Sequence, residues 1–315
     1  MGRFWKQKRV GLALGSGGAR GWAHLGVLQA LREKGIQVDC IAGTSMGAVV
    51  GAFLAAGRED VLQDLALHLD WKRLRQFFWE VSLSRSGLTD GRRLLGETRN
   101  MLGVNEFREL QLPFRCVATD LNTGGEVILD SGNLLEALRA SISIPGVFSP
   151  VWVGKRLLVD GGLVNPVPVN VVREMGAQIV IAVDVSQGIV PEEKKLPRKE
   201  RDPEPVRGPL ALPRTAGRAE RSNAIQMLDE FRAKIEHKAR RLRAAVAGDT
   251  TKPVLVDVLV RSVRIAEAQI ALMRRRTEPA DVLIAPSVGG LGTLELQRAK
   301  EAIAAGRAAA LQALD

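Results

Sequence analysis

Residues 9–57 carry a pattern that few folds accommodate: an apolar strand, a glycine-rich turn and a helix, followed at once by the same three parts again. Residues 9–14 read as a β-branched and leucine-rich strand, glycines cluster over residues 15–21, and residues 22–34 show helical spacing until Gly35 stops it. Residues 38–42 form a second short apolar run, residues 43–47 a tight turn, and residues 48–56 a small-residue helix ended by Gly57. Two consecutive β-loop-α units predict an α/β fold, with a mainly parallel central sheet flanked by helices.

The next segments continue that plan. Residues 114–119 and 125–129 read as strands, and residues 133–140 as a helix opened by the capping residue Asn133. Two short apolar runs, 151–153 and 156–159, flank Gly154-Lys155 and predict a hairpin. Residues 170–175 read as a short helix closed by Gly176. Residues 178–185 are apolar almost throughout, as a strand covered on both faces would be. A catalytic domain over residues 9–187 is expected.

The texture changes at residue 188. Residues 188–214 turn to proline, lysine and glutamate, which reads as loop or disorder. After it, Ala224, Leu228, Phe231, Ile235, Ala239, Leu242 and Val246 recur at steps of three and four, an apolar stripe on an otherwise charged helix. Such a stripe suits packing on the catalytic domain or lying on an anionic bilayer. Residues 188–252 are accordingly expected to form a basic insert. Residues 253–315 are expected to pack on the catalytic domain as a C-terminal extension, with a helix over 254–273, a strand over 281–285 and a last helix over 293–314.

Charge narrows the partners. The chain of 315 residues has a formal charge of +10. Residues 187–252 hold 16 Lys and Arg against 10 Asp and Glu. A basic surface attracts membrane, nucleic acid or acidic substrate alike, because long-range attraction follows charge and not chemistry. The insert has few aromatics to interleave with its charges and matches no nucleic-acid motif, so no nucleic-acid partner is expected. The apolar stretch after the basic residues 1–9 is too short for a secretory signal, and no run approaches the length of a membrane span. With two cysteines, Cys40 and Cys116, both inside apolar runs, the expectation is a cytoplasmic protein with buried free thiols, peripheral at most on the inner face of the membrane.

Gly43-Thr44-Ser45-Met46-Gly47 fits G-x-S-x-G between a strand and a helix, the context in which that pattern means a nucleophile elbow. Gly43 and Gly47 flank the serine because the turn is too sharp for side chains. Ser45 then needs a base. The three histidines are poorly placed: His24 on the first helix reads as a packed or loop-bracing residue, and His68 and His237 read as surface residues. Asp160-Gly161-Gly162, at the exit of the hairpin, places an acid followed by two glycines where it can project into a cleft. An aspartate can act as the base directly if burial raises its low pKa. Asp90-Gly91 is the rival and reads better as a helix cap.

Gly15-Ser16-Gly17-Gly18-Ala19-Arg20-Gly21 fails the dinucleotide fingerprint, because Arg20 stands where the third glycine belongs. Free N–H groups of Gly17, Gly18, Ala19 and Arg20 at a helix start still suit an oxyanion hole. Arg20 reads as a loop brace, with contact to a lipid phosphate as the alternative.

In order, Gly17-Gly18-Ala19-Arg20-Gly21, Gly43-Thr44-Ser45-Met46-Gly47, residues 140–148 (Ala-Ser-Ile-Ser-Ile-Pro-Gly-Val-Phe) and Asp160-Gly161-Gly162 resemble the four blocks of patatin-like phospholipases. The resemblance covers residues 9–186 and resumes more weakly from about residue 253. It implies a three-layer sandwich, a Ser45–Asp160 dyad, a glycine-loop oxyanion hole, no metal or cofactor, and phospholipid or lysophospholipid esters as substrates. Acyl transfer, neutral-glyceride or thioester cleavage would use the same residues, and a noncatalytic lipid-binding regulator could share the fold. The insert departs from the pattern, being longer and more basic. Head group, acyl chain and oligomeric state are not legible.

Overall fold

The computed structural model describes residues 8–69, 92–187 and 255–315. The expectations for residues 188–252, for His237 and for Asp90 lie outside these.

The described strands are β1 (Val10–Leu14), β2 (Cys40–Thr44), β3 (Phe114–Asp120), β4 (Glu126–Leu129), β5 (Val151–Val153), β6 (Arg156–Asp160), β7 (Ile179–Val183) and β8 (Val282–Ile284). They make one sheet in the order β5-β6-β3-β2-β1-β7-β8, with β4 also paired to β3. From β3 to β8 every neighbour is parallel. Strands β4 and β6 run antiparallel to β3, and β5 antiparallel to β6. The sheet is therefore mixed, as the hairpin signal at Gly154 requires.

The helices are α1 (Ala23–Glu33), α2 (Met46–Ala55), α3 (Glu59–Leu67), α4 (Arg92–Leu102), α5 (Leu134–Ser141), α6 (Val169–Glu174), α7 (Leu255–Thr277) and α8 (Ala299–Leu314). Alternation along the strands splits the core between two faces. Leu12, Leu14, Ile181 and Val183 pack with α1, α2 and α8 residues on one side. Ala13, Ala42, Val180 and Ala182 pack with Val169, Val171 and Val172 of α6 on the other. These faces are buried on both sides, which explains the unbroken apolar runs of β1 and β7. Asn133 caps α5, its side chain accepting the Glu136 N–H at 2.9 Å.

Helices α1 and α8 touch at glycines. A Cβ on Gly26 would fall on the Ile303 carbonyl, and one on Gly306 on the Ala23 carbonyl. The last helix begins at Ala299, six residues later than the sequence suggests. Residues 293–298 are instead committed to a turn, in which the Glu295 carboxylate accepts the Gly292 N–H at 2.9 Å and the Thr293 carbonyl accepts the Ala19 N–H at 2.8 Å. Helix α1 is preceded by a 3-10 turn over Gly18–Trp22, so regular helix starts at Ala23 and not at Trp22.

Candidate active site

Parallel pairing of β2 with β3 places Thr44 opposite Val117, and antiparallel pairing of β6 with β3 places Asp160 opposite Ala118. Ser45, which follows Thr44, and Asp160, 115 positions apart in the chain, are thereby brought beside neighbouring points of β3. The Ser45 hydroxyl donates to Asp160 Oδ2 at 2.6 Å. Ser45 is 3% exposed and Asp160 is fully buried.

The turn that presents Ser45 is strained. Its φ of 56° with ψ of −123° is the single positive φ outside glycine among the described residues. Such a conformation costs about 1–3 kcal/mol and persists only where the surroundings impose it. Here the surroundings do. A Cβ on Gly47 would strike the Leu14 carbonyl, and one on Gly43 the Gly47 carbonyl, so neither position tolerates a side chain. The Ser45 N–H is tied to Ser141 Oγ at 3.0 Å, and Ser141 in turn donates to the Val117 carbonyl at 2.7 Å.

Asp160 is held from three sides. Its N–H donates to the Ser143 carbonyl at 3.0 Å, its carbonyl accepts from Thr119 Oγ1 at 2.8 Å, and its Oδ1 accepts the Gly162 N–H at 2.8 Å. Burial pushes its carboxyl pKa up, against the opposing pull of the bonds from Ser45 and Gly162. The segment carrying Ser141 and Ser143 thus fixes both partners of the Ser45–Asp160 pair. Buried Arg139 anchors that segment, donating to Ser143 Oγ at 2.6 Å and to the Ser149 carbonyl at 3.0 Å, with its guanidinium 5.0 Å from the Phe148 ring centre.

Of the loop residues Gly17, Gly18, Ala19 and Arg20, two have committed N–H groups: Ala19 donates to the Thr293 carbonyl and Arg20 to the Gly17 carbonyl. Gly17 and Gly18 make no such bond among the described residues, and both line a small cavity beside Ser45. The structure therefore narrows the available loop donors to these two glycines. Arg20 is buried and braces the loop, its Nε donating to the Gly17 carbonyl at 3.2 Å, while its Nη1 has no hydrogen-bond partner among the described residues. Burial first, and then Arg264, lowers its pKa to about 9.

The histidines are elsewhere. His24 is fully buried with its pKa lowered to about 4 by burial, so its ring is neutral and Nε2 is the nitrogen that donates to the Gly15 carbonyl, at 2.8 Å. It braces the glycine loop from behind. His68 is exposed and bonds the Asp64 carbonyl. Both cysteines are buried and free. Among the described residues no group of three or more His, Cys, Asp or Glu side chains could hold a metal ion.

Sequence reading missed Glu267. It projects from α7, is buried, and puts a carboxyl oxygen where a Cβ on Gly162 would sit, which gives the second glycine of the Asp160-Gly161-Gly162 turn its reason. Burial raises its pKa, and the Asp160 carboxylate adds to the rise, while Arg20, Arg264 and a bond from Ser16 oppose it. A glutamate on a helix carrying five arginines reads as a solvated face, so no local signal marks it.

The patatin-like phospholipase profile matches residues 12–173, and the chain belongs to that family. Its general class is that of the lipid hydrolases. Among its relatives, an NTE family protein of Mycobacterium tuberculosis is 37% identical over 98% of this chain and 91% of its own length. A second mycobacterial NTE family protein is 32% identical over 98% of this chain and 46% of its own. The mouse patatin-like phospholipase domain-containing protein 7 is 34% identical over 56% of this chain, which is 13% of that protein.

Proposed function

We propose that the chain is a serine hydrolase of phospholipid or lysophospholipid carboxylic esters, with Ser45 as nucleophile and Asp160 as its base. The observation that carries this reading is the 2.6 Å bond from Ser45 Oγ to a buried carboxylate, made on a strained turn. In the reaction Asp160 accepts the hydroxyl proton as Ser45 Oγ attacks the ester carbonyl. Negative charge then develops on the carbonyl oxygen, and we assign its stabilisation to the uncommitted N–H groups of Gly17 and Gly18, each such donor contributing about 3–4 kcal/mol in comparable sites. Asp160 returns the proton to the departing alcohol. Water, activated by the same carboxylate, releases the fatty acid from Ser45 by the reverse sequence. A raised pKa suits Asp160 to both halves, since a base of ordinary carboxylate strength would take the proton less readily.

Ser45→Ala should abolish both ester hydrolysis and labelling by a fluorophosphonate probe, with the label on Ser45 in the parent protein. Undiminished hydrolysis by Ser45→Ala would defeat the reading. A panel of one-chain and two-chain lipids then assigns the substrate. No described helix is long and apolar enough to cross a membrane, so lipid in a bilayer would be met from its surface.

A further inference from the structure

Ser45 is 3% exposed, and the described residues leave little room beside it. The cavity beside it, lined by Gly17, Gly18, Arg20, Ile144 and the α7 residues Val260, Val263, Arg264 and Glu267, has about 10 Å³ of free space. That is room for about one water and not for an acyl chain. Helix α7 forms much of the cover.

The opposite face of the same helix is apolar and exposed. Of the nine large hydrophobic residues that are exposed among the described ones, five lie on α7: Val258, Leu259, Ile265, Leu272 and Met273. Ile265 is 60% and Met273 59% exposed. Val258, Ile265 and Leu272 are seven apart, which keeps them on one side of the helix with Leu259 and Met273 beside them, and Ser262, Ala266 and Gln269 lie between. Arg261, Arg275 and Arg276 flank this strip, all exposed and none paired with an acid among the described residues. Scattered exposed hydrophobics need no explanation, but five gathered on one side of one helix do. Apolar area bordered by unpaired arginine is the pattern of a helix that lies in the interface of an anionic bilayer, because the side chains enter the headgroup region while the cations concentrate the helix at the surface.

We propose that the outer face of α7 docks on an anionic lipid surface, and that this docking draws the helix away from Ser45 and admits substrate. The device is placed where it serves: one helix senses the bilayer on one side and covers the nucleophile on the other. What docking serves rests on the lipid-ester reading; the docking itself does not.

The test uses the full chain and vesicles of equal parts ether-linked phosphatidylglycerol and phosphatidylcholine, which present a surface and no cleavable ester. Two readouts are taken: sedimentation with the vesicles, and hydrolysis of a soluble monomeric p-nitrophenyl butyrate with and without them. The parent protein should sediment, and its rate on the soluble ester should rise severalfold when vesicles are added. Ile265→Glu with Met273→Glu should keep the vesicle-free rate within about twofold, since both side chains are exposed. The double variant should lose at least ~tenfold in partition and lose the rise. Sedimentation and stimulation of the double variant equal to the parent would overturn the proposal. So would equal, salt-insensitive binding to phosphatidylcholine alone, which removes the role of charge. A parent dimer by light scattering that the double variant breaks would assign the strip to a second copy of the chain. If charge reversal at Lys238, Arg240 and Arg241 abolished sedimentation while the α7 variant kept it, docking would belong to residues 188–252. A parent that hydrolyses no ester would defeat the lipid-ester reading, and the sedimentation arm would still decide the docking surface.

Discussion

Helices α7 and α8 come from the same C-terminal stretch and are built on opposite terms. Helix α8 buries Ala299, Ala302, Ile303, Gly306, Ala310 and Leu314, and at Gly306 it meets the α1 backbone with no space for a side chain. Helix α7 buries Val260, Glu267 and Ala271, and leaves the Nε of Arg264 without a hydrogen-bond partner among the described residues while a row of hydrophobics faces outward. Small residues and backbone contact make α8 part of the core, where any movement forfeits close-packed area. Charged groups around a nearly closed site make α7 a cover whose removal costs less apolar burial. The difference teaches that position in sequence does not decide which helix is structural and which is adjustable; the chemistry of the buried face does.

The contrast can be broken by substitution. Gly306→Val should push a branched side chain into the Ala23 carbonyl and destabilise the protein by roughly 3 kcal/mol or more. Ile265→Glu on α7 should stay within about 0.5 kcal/mol of the parent in the same denaturant titration. Equal losses would end the distinction between the two helices.

The contrast is sharpened by pH, because the buried ionisable group on each side has the opposite sign. His24 on α1, beside α8, has a folded pKa of about 4 against an ordinary 6.5. Between those values the unfolded chain binds a proton that the folded chain refuses, so stability is full above pH 6.5 and declines as pH falls toward 4, by on the order of 3 kcal/mol. His24→Gln, which can still donate to the Gly15 carbonyl, should flatten that decline in thermal melts. Glu267 on α7 has a folded pKa above its ordinary 4.5. There the folded state holds the proton that the unfolded state releases, so its contribution is present below pH 4.5 and is lost as pH rises through the raised pKa. Glu267→Gln should therefore gain stability relative to the parent as pH rises above the carboxylate range. A gain on acidification instead would show that Glu267 is held as an anion.

Much of this was legible in the sequence, and the division follows range. The two strand-turn-helix units, the hairpin at Gly154 and the cap at Asn133 are local patterns, and each appears within a residue or two of its expected place. The Ser45 turn and the Asp160-Gly161-Gly162 turn were marked by glycines whose reason is a neighbouring carbonyl or carboxyl. Glu267 was not legible, because its meaning depends on Gly162, more than a hundred residues earlier in the chain. Nor was the commitment of the Ala19 N–H, which is taken by the carbonyl of Thr293, near the other end of the sequence. The late start of α8 has the same origin: propensity favours helix from Thr293, and the loop's need for that carbonyl overrides it.

The proposed chemistry depends on the pair formed by Ser45 and Asp160, and its most direct test is Asp160→Asn. The amide keeps the shape of the side chain and can still meet the Ser45 hydroxyl, but it cannot take a proton. With the melting temperature preserved, kcat/KM on a soluble ester should fall by roughly 10²–10⁴. In the parent, kcat/KM should fall as pH drops through the raised pKa of Asp160, with its midpoint above the ordinary carboxylate range. His68→Ala should leave both the rate and the profile unchanged. Retention of activity within about tenfold by Asp160→Asn, together with collapse in His68→Ala, would contradict the dyad and call for a histidine base.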